Sequence, residues 1–276
     1  METHLDHIDY WDAHALLEWQ VELGVSEPIG EQPVNRYDMP AAAPKPAPQA
    51  AAQAAAQARG NTPPVRPVAM AEVEVDGIGE AARVARAATT LEDLRDAIAT
   101  FEHCALKRGA HNLVFCDGTP KARVMVIGEA PNRDEDREGK PFVGRAGALL
   151  DRMFAAIGLD RTSPDGQNAL YLAPALPWRP PENREASAEE LAMLTPFLIK
   201  HIELADPDVI VIMGNLACQA LTGRAGITRL RGAWQEVSGK PAMPMTHPAY
   251  LLRTPAAKRE AWADLLEIQA RLRTLS

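Results

Sequence analysis

Short apolar runs that alternate with helical segments constrain the fold of this chain more than any other feature. The runs suited to buried strands are residues 123–127, 169–176 and 209–213, with a fourth near 242–245. Apolar side chains at helical spacing lie between them, and Ser187 with Glu190 has the spacing of a capping box. This alternation predicts an α/β fold: a three-layer sandwich in which a mainly parallel four-stranded sheet lies between helices.

The domain organisation follows from a change in composition before these strands. Alanine and proline dominate residues 39–70, which hold few side chains large enough to build a core. We therefore predict a disordered linker over 39–84 and a single α/β domain over 85–276. Residues 1–38 are acidic, and their aromatic and aliphatic side chains predict a short amphipathic helix. That helix either packs on the domain or docks a protein partner.

Cysteine usage and hydropathy limit the compartment. The chain has three cysteines, Cys104, Cys116 and Cys218, an odd number without paired spacing. A chain of 276 residues can bury a substantial core without disulfides. No apolar run approaches the length of a membrane span, and the first thirty residues lack the apolar core of a signal peptide. These features predict a cytoplasmic protein without a membrane segment.

The net charge of -8 argues against a nucleic-acid partner only until its location is considered. Residues 101–276 hold 22 basic and 21 acidic side chains, so the acidity lies in the N-terminal third. The α/β domain is therefore free to present a local basic face. Arg229, Arg231 and Arg253 are suited to phosphate contacts, and scattered surface arginines are the alternative interpretation.

Two strand-end loops carry the side chains best suited to catalysis. Glu129 follows the first predicted strand and His247 follows the fourth. Loops at the carboxyl ends of parallel strands converge on one edge of a sheet, so the two side chains can face one pocket. Such a pair can orient water and stabilise a leaving anion. The alternatives are that Glu129 caps the following turn and that His247 is an ordinary surface residue. Phe142 is either a stacking platform for a planar base or a core anchor.

Five segments carry a resemblance to a known family: GEAPNRDEDREGKPFVGRAGALLDRMFAAIGLDR (128–161), PWRPPENR (177–184), PFLIKHIELADPDVIVIMG (196–214), GITRLRGAW (226–234) and HPAYLLRTPAAKREAWADLL (247–266). Together they cover nearly all of residues 101–270 in the same order. The chain resembles the type-4 uracil-DNA glycosylases of the uracil-DNA glycosylase superfamily. The resemblance implies a parallel four-stranded sheet between helices and hydrolysis of the N-glycosidic bond of uracil flipped out of DNA.

The resemblance also implies roles for individual residues. Glu129 would position the water and the uracil, with Glu135 as a weaker catalytic candidate, and His247 would stabilise negative charge on uracil O2. The base-binding positions would be Gly128, Ala130, Phe142, which stacks on the base, and Pro174. The DNA-binding positions would be Tyr250, Leu251 and Arg253, which fill the gap in the helix or hold its backbone, together with Arg231.

Two residues depart from the family pattern around the base. The family motif GEAPG ends here in Asn132, which places a side chain where the backbone would approach the base closely. The asparagine that reads the uracil edge in the family falls on Pro174, which has neither a side-chain amide nor a backbone N–H. Loss of such a buried reader can cost about 10⁴-fold in discrimination.

A third departure concerns the 4Fe-4S cluster that family members commonly bind through four cysteines. Cys104 matches the first ligand position, whereas Lys107, Trp178 and Leu194 occupy the other three. Cys116 and Cys218 lie elsewhere in the alignment. Because such a cluster needs its full set of ligands, we predict that this chain binds no cluster and no other metal.

The sequence therefore predicts a DNA-repair glycosylase that removes uracil, or another deaminated base, from DNA. One alternative is a catalytically weak or inactive DNA-binding or recruitment protein that keeps the fold and has lost base reading at Pro174. Another is a changed base specificity, with hypoxanthine or xanthine as the substrate base.

Overall fold

The computed structural model describes residues 76–275. Its strands are β1 (Asp117–Gly118), β2 (Val124–Gly128), β3 (Leu170–Pro174), β4 (Val209–Met213), β5 (Gln235–Val237) and β6 (Lys240–Met245). Its α-helices are α1 (Gly77–Ala87), α2 (Leu91–Thr100), α3 (Arg133–Glu138), α4 (Gly144–Ala155), α5 (Ala188–Ala205), α6 (Asn215–Thr222), α7 (Ile227–Leu230), α8 (Pro248–Arg253) and α9 (Lys258–Thr274). Within this range, no helix is long and apolar enough to cross a membrane.

The strands form one six-stranded sheet in the order β1-β3-β2-β4-β6-β5. The four central strands are the ones predicted from the sequence, and all their pairings are parallel. The short edge strands β1 and β5 pair antiparallel with their neighbours and extend the predicted four-stranded sheet. They hold only two and three residues, too few to show a period-2 pattern in the sequence.

Helices cover both faces of the sheet and give the predicted three layers. Along β2, Val124 and Val126 belong to one core cluster and Met125 and Ile127 to another, as the alternation of side chains along a strand requires. The first cluster includes side chains of α4 and α9, and the second includes side chains of α5 and α6. Both faces of the central strands are therefore dry, which explains why their sequences are continuous apolar runs.

The N-terminal boundary of the domain differs from the prediction of a linker over 39–84. Residues 77–84 belong to α1, whose Ala81 and Ala85 pack with residues of α5 in a third apolar cluster. Small side chains allow the close approach of the two helices, but they resemble linker composition in the sequence. The remainder of the predicted linker and the predicted helix within residues 1–38 lie outside the described residues.

The helix starts follow the capping chemistry that the sequence indicates. The Ser187 hydroxyl accepts from the Glu190 N–H at 3.1 Å, and the Glu190 carboxylate accepts from the Ser187 N–H at 2.8 Å. This reciprocal pair satisfies two N–H groups that a helix start leaves without intrahelical partners. The predicted helix start at Ser187 is therefore confirmed.

Candidate active site

The carboxyl ends of the central strands open into a cavity of about 750 Å³. It lies where β2, β3 and β6 pass into their following loops, the place where ligands bind in parallel α/β sheets. The sequence-predicted residues that line it are Gly128, Glu129, Ala130, Glu135, Phe142, Pro174, His247 and Arg253. Side chains that lie up to 124 positions apart in the sequence, from Glu129 to Arg253, thus share one cavity.

Glu129 connects two strand ends across this cavity. Its Oε1 accepts from the N–H of Asn215 at 2.9 Å and of Leu216 at 3.4 Å, at the start of α6. The carboxylate therefore caps a helix N-terminus, where negative charge is stabilised by the helix dipole. Gly214, with φ 108°, is required here because a Cβ atom would lie 2.4 Å from the Glu129 side chain. Glu129 therefore caps the helix that follows β4, which differs from the alternative that it caps the turn directly after itself.

A hydrogen bond from the backbone orients the His247 ring, and burial sets its protonation state. Its Nδ1 accepts from the N–H of Ala249 at 3.2 Å as the side chain caps α8. Burial lowers the pKa of His247; the carboxylate of Glu129 opposes this effect and the Arg253 guanidinium adds to it. The imidazole is consequently neutral near pH 7. In the neutral ring, Nε2 carries the proton because Nδ1 accepts a hydrogen bond.

Phe142 forms an aromatic wall beside this histidine. Its ring stacks on the His247 ring with a centroid distance of 5.5 Å and an interplanar angle of 19°. Gly128 lies under the same ring, since a Cβ atom there would come within 2.5 Å of Phe142 Cζ. Phe142 is therefore both a member of the core and a lining residue of the cavity. The close contact explains in physical terms why residue 128 is glycine.

The run of acidic and basic side chains at 133–138 forms α3. Asn132 caps it, and its Oδ1 accepts from the N–H groups of Asp134 at 2.8 Å and Glu135 at 3.1 Å. The φ of Asn132 is -83°, so the backbone at this position does not need glycine. Glu135 returns one oxygen to the Asn132 N–H at 2.8 Å and the other to the Phe142 N–H at 2.5 Å. Both of its oxygens are therefore engaged with the backbone.

At the end of β3, the position of the family's base-reading asparagine is occupied by Pro174, which has no side-chain amide. Pro174 pairs with Gly128 in parallel register and lines the cavity. The next N–H, of Ala175, donates to the carbonyl oxygens of Gly128 at 2.9 Å and Glu129 at 3.3 Å. Neither the proline nor the peptide that follows it can therefore donate to a bound base.

The predicted DNA-binding residues divide into two groups. Arg253 is exposed at the cavity, and Tyr250 lines a second cavity of about 200 Å³ that shares Glu129, His247 and Arg253 with the first. Leu251 does not reach either cavity, because α8 turns its side chain into the core at 1% exposure. Arg231 is also absent from both cavities: its guanidinium donates to Asp264 at 2.5 Å and to the Glu260 carbonyl at 2.7 Å.

Sequence reasoning missed several polar residues of the cavity, among them Asn183, Arg184, Asn215 and Gln219. Asn215 lies directly after β4, so the strand-end rule that found Glu129 and His247 could have found it as well. Its Oδ1 accepts from Ile227 at 2.8 Å and ties α6 to the start of α7. The other three lie on a turn and a helix whose approach to the cavity depends on tertiary packing.

The positions that the resemblance assigns to a metal cluster do not fit one. Cys104, Trp178 and Leu194 are buried in a single apolar cluster, and the Lys107 amine pairs with Glu102. Burial raises the pKa of the Cys104 thiol, which disfavours the thiolate that would bind iron. Among residues 76–275, no group of three or more histidine, cysteine or acidic side chains could hold a metal ion.

The described residues form an α/β sandwich, the fold that the resemblance implies, and place a carboxylate, an imidazole and an aromatic ring in one strand-end cavity. The sequence profile of the uracil DNA glycosylase superfamily matches residues 115–266. This match covers more than half of the chain, which therefore belongs to the uracil-DNA glycosylase superfamily.

Individual relatives extend this comparison. The chain is similar to the type-4 uracil-DNA glycosylase of Archaeoglobus fulgidus, with 35% identity over 188 residues that cover 65% of this chain and 92% of the relative. The type-4 enzyme of Thermotoga maritima is 37% identical over 155 residues, 54% of this chain and 77% of the relative. That of Sulfurisphaera tokodaii is 31% identical over 190 residues, 65% of this chain and 84% of the relative.

Proposed function

We propose that this protein is a DNA glycosylase that hydrolyses the N-glycosidic bond of uracil, or of another deaminated base, flipped out of DNA. The observation that carries the proposal is that Glu129, Phe142 and His247 line one cavity at the strand ends. The family membership and the names of the relatives support the same reaction class.

His247 would act as a neutral hydrogen-bond donor. As the bond to the sugar breaks, negative charge develops on the base, and the Nε2 proton of His247 would stabilise it at uracil O2. Burial favours this form because it lowers the pKa of the imidazole. The hydrogen bond from Ala249 to Nδ1 fixes the tautomer and the ring orientation in advance, so little reorganisation is needed during the reaction.

Glu129 would act on the water and the sugar. One oxygen is held at the start of α6, whereas Oε2 has no hydrogen-bond partner within residues 76–275. That oxygen can accept a proton or a hydrogen bond from the attacking water. The fixed negative charge would also stabilise the positive charge that develops on the sugar as the base leaves.

DNA would meet the cavity at its exposed rim. Phe142 would stack on the flipped base, while Arg253 and Tyr250 would contact the DNA backbone beside it. Flipping costs a few kcal/mol and costs least in single strands and mismatches. We therefore propose single-stranded or mismatched DNA as the better substrate.

Pro174 supports a second candidate, a DNA-binding protein with weak or no glycosylase activity. The wall at Pro174 cannot make the paired hydrogen bonds that distinguish one base edge from another. A site without that reader would release uracil slowly or prefer a different deaminated base.

The deciding experiment uses single- and double-stranded oligonucleotides with one uracil, hypoxanthine or xanthine, followed by alkaline cleavage and gel analysis. We expect cleavage of at least one substrate above that by His247→Ala. Binding of the same oligonucleotides without cleavage above that control would support the second candidate. Pro174→Asn is expected to raise uracil cleavage, by up to about 10⁴-fold if base reading is the limiting step.

We further propose that the protein works without an iron–sulfur cluster and in the cytoplasm. The apolar packing of Trp178 and Leu194 at two ligand positions supports the first point. Protein purified anaerobically from iron-replete cells should contain no stoichiometric iron or sulfide. A broad absorption near ~400 nm with both elements present would contradict it. A protein partner for residues 1–38 stays a prediction.

A further inference from the structure

The backbone of Phe142 is held in a conformation that a bulky residue rarely adopts. Its φ is 52°, in the left-handed region, where a side chain with a Cβ atom is strained. Such a residue persists only where its surroundings over-determine it. The hydrogen-bond partners of the Phe142 N–H and carbonyl groups must therefore hold the backbone in this conformation.

Side chains from two different segments hold those atoms. The N–H of Phe142 donates to Glu135 Oε1 at 2.5 Å, and the carbonyl oxygen accepts from Arg161 Nη2 at 3.2 Å. The carbonyl lies against α4 so closely that a Cβ atom on Gly147 would come within 1.8 Å of it. A buried carbonyl needs a partner, and Arg161 provides it.

Arg161 is itself anchored on two other elements. Its Nε donates to Asp151 on α4 at 2.7 Å, and its Nη1 donates to Asp117 on β1 at 3.0 Å. Its side chain is 12% exposed. The planar guanidinium can donate in three directions at once, whereas one ammonium group cannot span the same three acceptors.

We infer that Arg161 is a positioning residue that holds the Phe142 ring against His247 through the Phe142 carbonyl. The consequence for catalysis rests on the proposed function: a ring fixed in advance gives a flipped base one stacking geometry, beside the imidazole that stabilises its charge. A displaced ring would lower the rate of base release even where DNA still binds, since a misplacement of about 1 Å can cost about 100-fold.

The test compares Arg161→Lys with Arg123→Lys. Arg123 is a matched control because its side chain is 13% exposed and it also joins a carboxylate, on Asp208, to a backbone carbonyl, that of Leu272. Arg123 lies at the opposite end of β2, away from the cavity. Both variants lose a similar arginine network, so differences between them report on the position of Phe142 rather than on general stability.

Two readouts are measured. The first is the ring-current shift of the His247 ring protons at pH 8, assigned by comparison with His247→Ala, which reports the stacking on Phe142 without any substrate. The second is kcat and KM for base release. We expect Arg161→Lys to lose the shift and about 100-fold in kcat with little change in KM. Arg123→Lys should keep the shift and a kcat within about 3-fold of the unchanged protein.

Each outcome decides the inference. A His247 shift retained in Arg161→Lys, or lost equally in both variants, overturns it. Loss of the shift in Arg161→Lys alone supports positioning. If the unchanged protein releases no base at all, the proposed function fails, while the proton shift still tells whether Arg161 positions the ring.

Discussion

Among residues 76–275, two phenylalanine–histidine pairs are stacked, and they differ in the surroundings of the histidine. Phe142 stacks on His247 with centroids 5.5 Å apart, and Phe115 stacks on His201 with centroids 4.3 Å apart and planes 5° from parallel. Burial lowers the pKa of both imidazoles, that of His201 to about 3. Both rings are therefore neutral at pH 7.

The difference lies in the hydrogen bonds. His201 Nε2 is 2.8 Å from the Tyr171 hydroxyl inside the core, whereas His247 Nε2 has no hydrogen-bond partner in the described range and its ring lines the cavity. A buried polar atom with a partner stabilises the fold, whereas a donor kept open to a cavity can serve a ligand. Burial and a shifted pKa alone therefore do not identify a catalytic histidine.

His201→Ala should therefore damage stability rather than chemistry. The change removes a ring from a dry core and takes the His201 partner from the Tyr171 hydroxyl, so we expect the free energy of unfolding to fall by about 3–5 kcal/mol. Urea unfolding measures this. Base release at low temperature, where the variant is still folded, should stay close to that of the unchanged protein. A stability loss below about 1 kcal/mol would contradict the structural role.

His247→Ala should give the opposite result. We expect base release to fall by about 10²–10³-fold, the loss typical of removing one preorganised donor to a developing anion. The free energy of unfolding should change less than in His201→Ala, because the ring already faces a cavity. Single-turnover cleavage and urea unfolding on the same preparations test both parts. If the two alanine variants lose stability equally, the contrast between the histidines is wrong.

The sequence predicts the histidine at the cavity better than it predicts the other. His247 follows a strand and precedes proline, so the strand-end rule places it at the functional edge of the sheet without tertiary information. His201 lies within α5 on an apolar face, where only the packed structure shows that Tyr171 and Phe115 enclose it. The parallel pairing of the central strands was predictable from the alternation of strands and helices along the chain.

The limits of sequence reasoning are clearest at positions whose role depends on distant partners. Glu135 has the residue type of a catalytic acid, yet both oxygens hold backbone N–H groups. Leu251 and Arg231 have suitable types for DNA contacts, but helix rotation and a buried carboxylate, that of Asp264, keep them away from the cavity. Arg161 gave no local signal, because its three acceptors lie on three separated segments.

Gly128→Ala would displace the Phe142 ring from His247 without changing either of these two residues. A Cβ atom would lie 2.5 Å from Phe142 Cζ, so the ring must move relative to His247. We expect base release to fall by about 10–100-fold. Gly109→Ala is the control, since its added Cβ would meet only Pro181 at an ordinary 3.9 Å. Equal rates for the two variants would show that catalysis tolerates movement of the Phe142 ring.

The last prediction concerns the pH dependence of stability that His201 causes. The pKa of His201 is about 3 in the folded protein and near 6.5 when exposed, so below pH 6.5 the unfolded state binds a proton that the folded state excludes. The free energy of unfolding should consequently decrease as the pH is lowered. From this residue alone, we expect a decrease of about 1.4 kcal/mol per pH unit between pH 6 and 4. His201→Gln, which keeps a partner for Tyr171 and cannot be protonated, should remove that part of the slope. The remaining slope then includes the contribution of His247, whose pKa is also lowered. An unchanged slope in His201→Gln would mean that His201 is not the group that protonates on unfolding.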